Sequence, residues 1–148
     1  MSSQDDTARA NAAWEALLIA HSVLIKHFDM DHVWTDVSMH EYDVLYTLRR
    51  HDAPMRMRSL SESVLLSQPG LSRLVDRLVK RGLVQRHRAT QDGRGILVEL
   101  TPEGRIVQRK TAKAHDRSVA DVVTRALNDA EQEQLRTLCG KLSGVITR

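Results

Sequence analysis

Leu65-Leu66-Ser67-Gln68-Pro69-Gly70-Leu71-Ser72-Arg73-Leu74-Val75-Asp76-Arg77-Leu78, continued by Arg81-Gly82-Leu83-Val84-Gln85-Arg86, is the stretch on which the fold turns. Leu71, Leu74, Val75 and Leu78 recur at the spacing of one helical face. Ser67 reads as an N-cap, Pro69 is tolerated in a first turn, and Gly82 is a C-terminal stop signal. The spacing therefore predicts a helix from Gln68 to Arg81. Just upstream, Ser59 and Glu62 have capping-box spacing, which predicts a helix of about two turns ending near Leu66. These two helices are joined by a tight turn and followed by a hairpin. They form a helix-turn-helix.

Downstream, residues 83–88 and Ile96–Leu100 alternate apolar and polar side chains as half-buried strands do. Ala89-Thr90-Gln91-Asp92-Gly93-Arg94-Gly95 between them reads as a hairpin tip. Upstream, Pro54 and the alternation Met55-Arg56-Met57 predict a loop and a very short strand. Ser38 and Glu41 form another capping box, opening a helix through roughly Arg50 with Tyr42, Leu45, Tyr46 and Leu48 as its apolar positions. A loop at 31–37 separates it from a first helix carrying Trp14, Leu17, Leu18, His21, Leu24, Ile25 and Phe28 on one face, after a frayed tail over residues 1–7. Thr101-Pro102 starts a long helix, and Asn128 with Glu131 opens the last one, striped by Leu135, Leu138, Cys139, Leu142, Val145 and Ile146. The chain is thus mainly α with a small β-hairpin wing. It reads as one domain over 1–148, a winged helix-turn-helix module at 38–101 flanked by N- and C-terminal dimerisation helices at 8–34 and 102–148.

The charge is placed suggestively. Winding the Gln68–Arg81 helix at about 100° per residue puts Pro69, Arg73, Asp76 and Lys80 opposite the apolar side, with Ser72 and Arg77 on the flanks. A recognition helix reads base edges with its N-terminal residues, so Gln68, Pro69, Ser72 and Arg73 are the candidates, with Arg77 suited to phosphate. Taken alone, such residues equally describe a solvated helix face. Arg86, Arg88 and Arg94 cluster on or beside the hairpin, where an arginine on a narrow tip can enter the minor groove and Asp92 can steady it. An ordinary Asp-Gly turn needs no such role. It is the succession of a polar helix face and a basic hairpin that favours double-stranded DNA.

The stretch quoted first resembles the recognition-helix signature of the MarR family of winged helix-turn-helix regulators. Asp92-Gly93-Arg94-Gly95 and Leu97-Val98-Glu99-Leu100-Thr101-Pro102-Glu103-Gly104 are similar to that family's wing and following helix. Residues 60–104 carry the distinctive motifs. The resemblance implies a homodimeric transcriptional regulator whose Gln68–Arg77 helix reads the major groove and whose Arg94 reaches the minor groove. Gly93 stands where the family often has a second wing arginine, and Gly70 where a side chain could touch a base, so affinity leans on Arg94, Arg73 and backbone contacts.

Three amphipathic helices outside the reading module leave apolar stripes that it cannot cover. A second copy in a closed two-fold dimer would bury them, and predicts a pseudo-palindromic operator. In relatives, small effectors bind between the dimer helices and the reading module. By that resemblance Trp14, His21, Tyr42 and Asp43 are candidate pocket residues, and residues 42–50 look like relatives answering to aromatic or purine-like compounds. A buried histidine satisfied by a neighbour is the plainer account of His21.

Composition bounds the rest. The 148 residues include 41% hydrophobic, 28% charged and only 3% aromatic side chains, with a net charge of +3. This fits a folded protein whose core is aliphatic and whose modest basic excess permits a polyanionic partner. No apolar run approaches the roughly 18 residues of a membrane span, and the start Met1-Ser2-Ser3-Gln4-Asp5-Asp6 is unlike a secretory signal, so the expected location is cytoplasmic. The seven histidines include no pair at i, i+4, and Cys139 is the only cysteine. No metal or other cofactor is expected. The absence of a phosphate loop or nucleophile elbow argues against an enzyme. The alternative to a DNA-binding regulator is a winged-helix protein-interaction module without specific DNA binding.

Overall fold

The computed structural model describes residues 3–89 and 95–146. Its elements run α1 (Ser3–Asp29), α2 (Met39–His51), β1 (Met55–Arg56), α3 (Met57–Ser63), α4 (Leu71–Lys80), β2 (Val84–Arg88), β3 (Ile96–Leu100), α5 (Pro102–Ala126) and α6 (Asp129–Ile146). The chain divides into two compact units, Met1–Thr111 and Ala112–Arg148, with the division inside α5.

In the first unit the strands form one antiparallel sheet in the order β1-β3-β2. Its register sets Val84 opposite Leu100, Arg86 opposite Val98 and Arg88 opposite Ile96, while Met55 also meets Val98. Because side chains alternate across a strand, these residues share one face. Val84, Val98, Leu100 and Met55 on it are buried, together with Val44, Leu45 and Leu48 of α2, Leu60 of α3, and Leu71, Leu74, Val75 and Leu78 of α4. The core is therefore aliphatic, and it lies under the helix-turn-helix.

Local chemistry explains most of the boundaries. Ser38 accepts from the Glu41 amide and Glu41 accepts from the Ser38 amide, a complete capping box. Gly82, at φ +71°, closes α4; its amide reaches Val79 O while Leu83 N reaches Leu78 O, the paired bonds of a Schellman stop. Thr101 caps α5 by accepting from Gly104 N at 3.0 Å, and its hydroxyl donates to Gly82 O at 2.6 Å.

Three boundaries differ from the sequence expectation. Helix α1 starts at Ser3 rather than after a frayed tail, with Asp5 and Asp6 in its first turn, where the helix dipole favours acids. Helix α3 starts at Met57 straight off β1, so Ser59 is interior and caps nothing; Glu62 pairs with Arg58 instead, and the helix stops at Ser63. Helix α4 starts at Leu71, with Gly70 as N-cap at φ +73° and no side-chain cap. A proline disfavours helical geometry in the residue before it, so Gln68 could not be the helical residue that a Ser67 cap requires.

In the second unit, Asn128 and Glu131 complete a second capping box, with bonds of 2.8 and 3.0 Å. On α6 the Arg136 guanidinium grips Glu133 through two hydrogen bonds and holds that carboxyl below its ordinary pKa. Leu135, Leu138, Leu142 and Val145 stand exposed along the same helix. Among the described residues, no helix is long and apolar enough to cross a membrane.

Candidate nucleic-acid interface

Helix α4 turns Leu71, Leu74, Val75 and Leu78 into the core and leaves Ser72, Arg73, Asp76, Arg77 and Lys80 outside. Ser72 and Arg73 occupy its first turn. Among the described residues no hydrogen bond or ion pair engages Arg73, so its guanidinium is available to a partner. Pro69 is exposed in the turn that precedes the helix.

Gln68 is placed otherwise than the sequence suggested. It precedes α4, and its side-chain amide points back to α2, donating to Asp43 Oδ2 at 3.0 Å and to His40 O at 3.3 Å. Asp43 itself is buried and also accepts from Leu65 N at 3.1 Å and Leu66 N at 2.8 Å. One carboxylate thus satisfies three donors of the segment between α3 and α4. No sequence signal marks this, because the partners lie more than twenty residues apart.

The basic residues fall into two groups. Arg77 and Arg81 lean on Glu41, at 3.6 and 3.3 Å, and Arg81 also donates to Asp36 O. Asp36 takes Lys110 of α5 at 2.8 Å. The buried Glu41 therefore ties the far end of α4 to the start of α2, and Arg77 is already engaged by the chain. Arg86 is engaged as well, donating to Asp76 Oδ1 and to Ser72 O on α4. Arg88, further along the same face of β2, is exposed. Asp92 and Arg94 lie outside the described residues. Sequence reasoning missed Arg56, whose guanidinium sits against Gly95 at the root of the hairpin, so close that a Cβ at Gly95 would fall 2.4 Å from it.

The four candidate pocket residues separate into two environments. Trp14 and His21 are exposed on α1, so His21 is not the buried histidine expected. Tyr42 and Asp43 are buried on α2. The Tyr42 ring lies 5.6 Å from Trp34 and 6.1 Å from Tyr46, and Arg50 sits over Tyr46 at 5.7 Å, making a row of aromatic contacts along the helix. Both Asp43 oxygens already accept hydrogen bonds. Among the described residues no group of three or more His, Cys, Asp or Glu side chains gathers to hold a metal.

Residues 35–95, which include this surface, match the model of the MarR family. The chain is 27% identical over 108 residues to the HTH-type transcriptional regulator PecS of Dickeya dadantii (strain 3937), a match spanning 72% of this chain and 64% of that protein, just under two thirds of its length. Among solved structures it is similar to a MarR family transcriptional regulator from Streptomyces coelicolor in complex with DNA, with 27% identity, a TM-score of 0.74 and coverage of 92% of this chain and 86% of that one. It also resembles the PcaV transcriptional regulator from the same organism in complex with its natural ligand, with 26% identity, a TM-score of 0.67 and coverage of 97% and 98%.

Proposed function

Because this chain belongs to the MarR family of winged-helix transcriptional regulators, which are not enzymes, we propose that it is a homodimeric, sequence-specific DNA-binding repressor released by a small ligand. The observation that carries the reading is Arg73, held outward in the first turn of α4 by a helix whose opposite side is locked in the core. In this reading Ser72 and Arg73 face base edges in the major groove, with Pro69 beside them. Arg88 and the tip residue Arg94, steadied by Asp92, serve the phosphates and minor groove. Gln68, Arg77 and Arg86 contribute by holding the surface rather than by reading bases.

The module at 38–101 does the reading, and the helices at 8–34 and 102–148 pair two copies. In support, α1 leaves Trp14 60% exposed alongside exposed Leu18, Ile19 and Val23, while α6 leaves its leucines exposed. Apolar rows of this length on single helices call for a covering surface. A two-fold pair presents two copies of α4 and fits a pseudo-palindromic operator with half-sites about one helical turn apart. The effector belongs to the aromatic class, on the strength of the Trp34–Tyr42–Tyr46 row in α2 and its approach.

The test is selection of bound duplexes from genomic fragments, followed by titration across a range of salt. A shared inverted repeat and a steep salt slope, reduced by Arg94→Ala, are expected. Binding that is flat with salt, or fragments without a common repeat, would remove the DNA-reading function. Release of the bound duplex by phenolic or purine compounds tests the effector.

A further inference from the structure

Arg86 looks like one more cation for the DNA backbone, yet its surroundings give it another task. It sits on β2 opposite Val98, on the face of the sheet that meets the core, and its side chain is 28% exposed against 50% for Asp76. From there one guanidinium nitrogen, Nη1, donates to Asp76 Oδ1 and the other, Nη2, to Ser72 O at 3.3 Å. Ser72 and Asp76 are one turn apart on α4, so the two bonds grip the helix at two successive points of one stripe. Between them in sequence, on the outer side, stands Arg73.

We propose that Arg86 is a positioning residue: a strut from the wing that fixes the rotation of the recognition helix and hence the direction in which Arg73 points. The proposal rests on the DNA-binding reading above and refines the role of one of its residues. An exposed one-point ion pair contributes little. A guanidinium fork with two acceptors on one helix is different, because it constrains orientation as well as distance. Lysine has three donors on one nitrogen but no planar fork, so it cannot reproduce the fixed two-nitrogen grip. Asp76 acquires a purpose from the same geometry, offsetting the repulsion that a carboxylate on a DNA-facing helix exerts on phosphate.

The experiment compares the full chain with Arg86→Ala, Arg86→Lys, Asp76→Ala and the Arg86→Ala/Asp76→Ala pair. In urea unfolding without DNA, the double variant should have a midpoint no lower than the worse single variant, because either change already removes the strut. Fully additive shifts would overturn the proposal. With the selected duplex, all three single variants should weaken binding by about tenfold and leave the salt slope unchanged. Three DNA results would overturn it. Arg86→Ala could lower the slope by about 0.9, the mark of a lost phosphate contact; Arg86→Lys could bind as well as the wild type; or Asp76→Ala could tighten binding. If the unaltered chain binds no duplex, the regulator reading fails, and the unfolding comparison alone decides whether the strut exists.

Discussion

Asp43 and Gln68 meet through a 3.0 Å hydrogen bond from the glutamine side-chain amide to the buried carboxylate, joining α2 to the turn that launches α4. The same carboxylate holds the amides of Leu65 and Leu66. Truncating it strands two backbone donors and one side-chain donor in a part-buried place. Asp43→Ala should therefore lower stability by about 2–3 kcal/mol, read as the midpoint of urea unfolding. A loss below about 0.5 kcal/mol would mean that water replaces the carboxylate without cost, and that the turn holds itself.

What the sequence made legible were features whose causes are local. Ser38 with Glu41, Asn128 with Glu131, Thr101 before Pro102, and Gly82 each complete their bonds within a few residues, so spacing alone finds them. The Ser59–Glu62 spacing misled because a helix already under way at Met57 commits the Glu62 amide to its own ladder, so Ser59 has no amide three residues on to cap. Gln68 misled for another reason: helical spacing names an outward face only once the helix begins, and α4 begins three residues later. The clasp of Glu41 on Arg77 and Arg81, and of Arg86 on Asp76, spans elements that meet only after folding. Charge counting sees those arginines as free, whereas packing has already assigned most of them.

Arg73 and Gln68 should separate cleanly under mutation. Arg73→Ala removes an exposed side chain that contributes nothing to the core, so the unfolding midpoint should hold. Affinity for the selected operator should fall by about 1–3 kcal/mol, with preference relaxed at one base position. Gln68→Ala should do the reverse, shifting the unfolding midpoint while leaving base preference intact. Competition binding with single-base operator variants measures both. A Gln68→Ala protein that loses discrimination at one position would restore glutamine to the list of readers.

The α6 stripe supplies a test of pairing that does not involve DNA. Leu138 is exposed and lies midway along the row Leu135, Leu138, Leu142 and Val145. Leu138→Glu would set a charge at the centre of any apolar contact made there, and a buried, unpaired charge costs several kcal/mol. Sedimentation should show the unaltered chain as a dimer and the variant shifted to monomer at the same concentration. A variant that stays dimeric would move the interface off this helix.

Thr47 offers a gain rather than a loss. Its side chain is fully buried in α2 and, among the described residues, its hydroxyl finds no hydrogen-bond partner. An unsatisfied buried hydroxyl is costly, and valine fills nearly the same volume with a similar helix propensity. Thr47→Val should therefore raise stability, by about 0.5–1 kcal/mol, in the same unfolding assay. Destabilisation would mean that a water or a backbone carbonyl satisfies the hydroxyl in solution.

Two glycines should respond to alanine for opposite reasons. At Gly104 a Cβ would fall 1.9 Å from Leu83 O and 2.9 Å from Leu83 C, where the first turn of α5 presses on the chain leaving α4. The obstacle is backbone, which cannot rotate aside, so Gly104→Ala should cost about 3 kcal/mol or more and every larger side chain should do worse. Gly70 has open space around it but a φ of +73°, so its penalty is conformational. Gly70→Ala should cost about 1–2 kcal/mol, and Gly70→Asn should recover most of that, because asparagine tolerates the left-handed region. Recovery by asparagine at position 70 but not at position 104, measured by thermal unfolding, is the expected pattern. Recovery at 104 would mean that α5 can lift from Leu83, and that the base of the wing is looser than its contacts indicate.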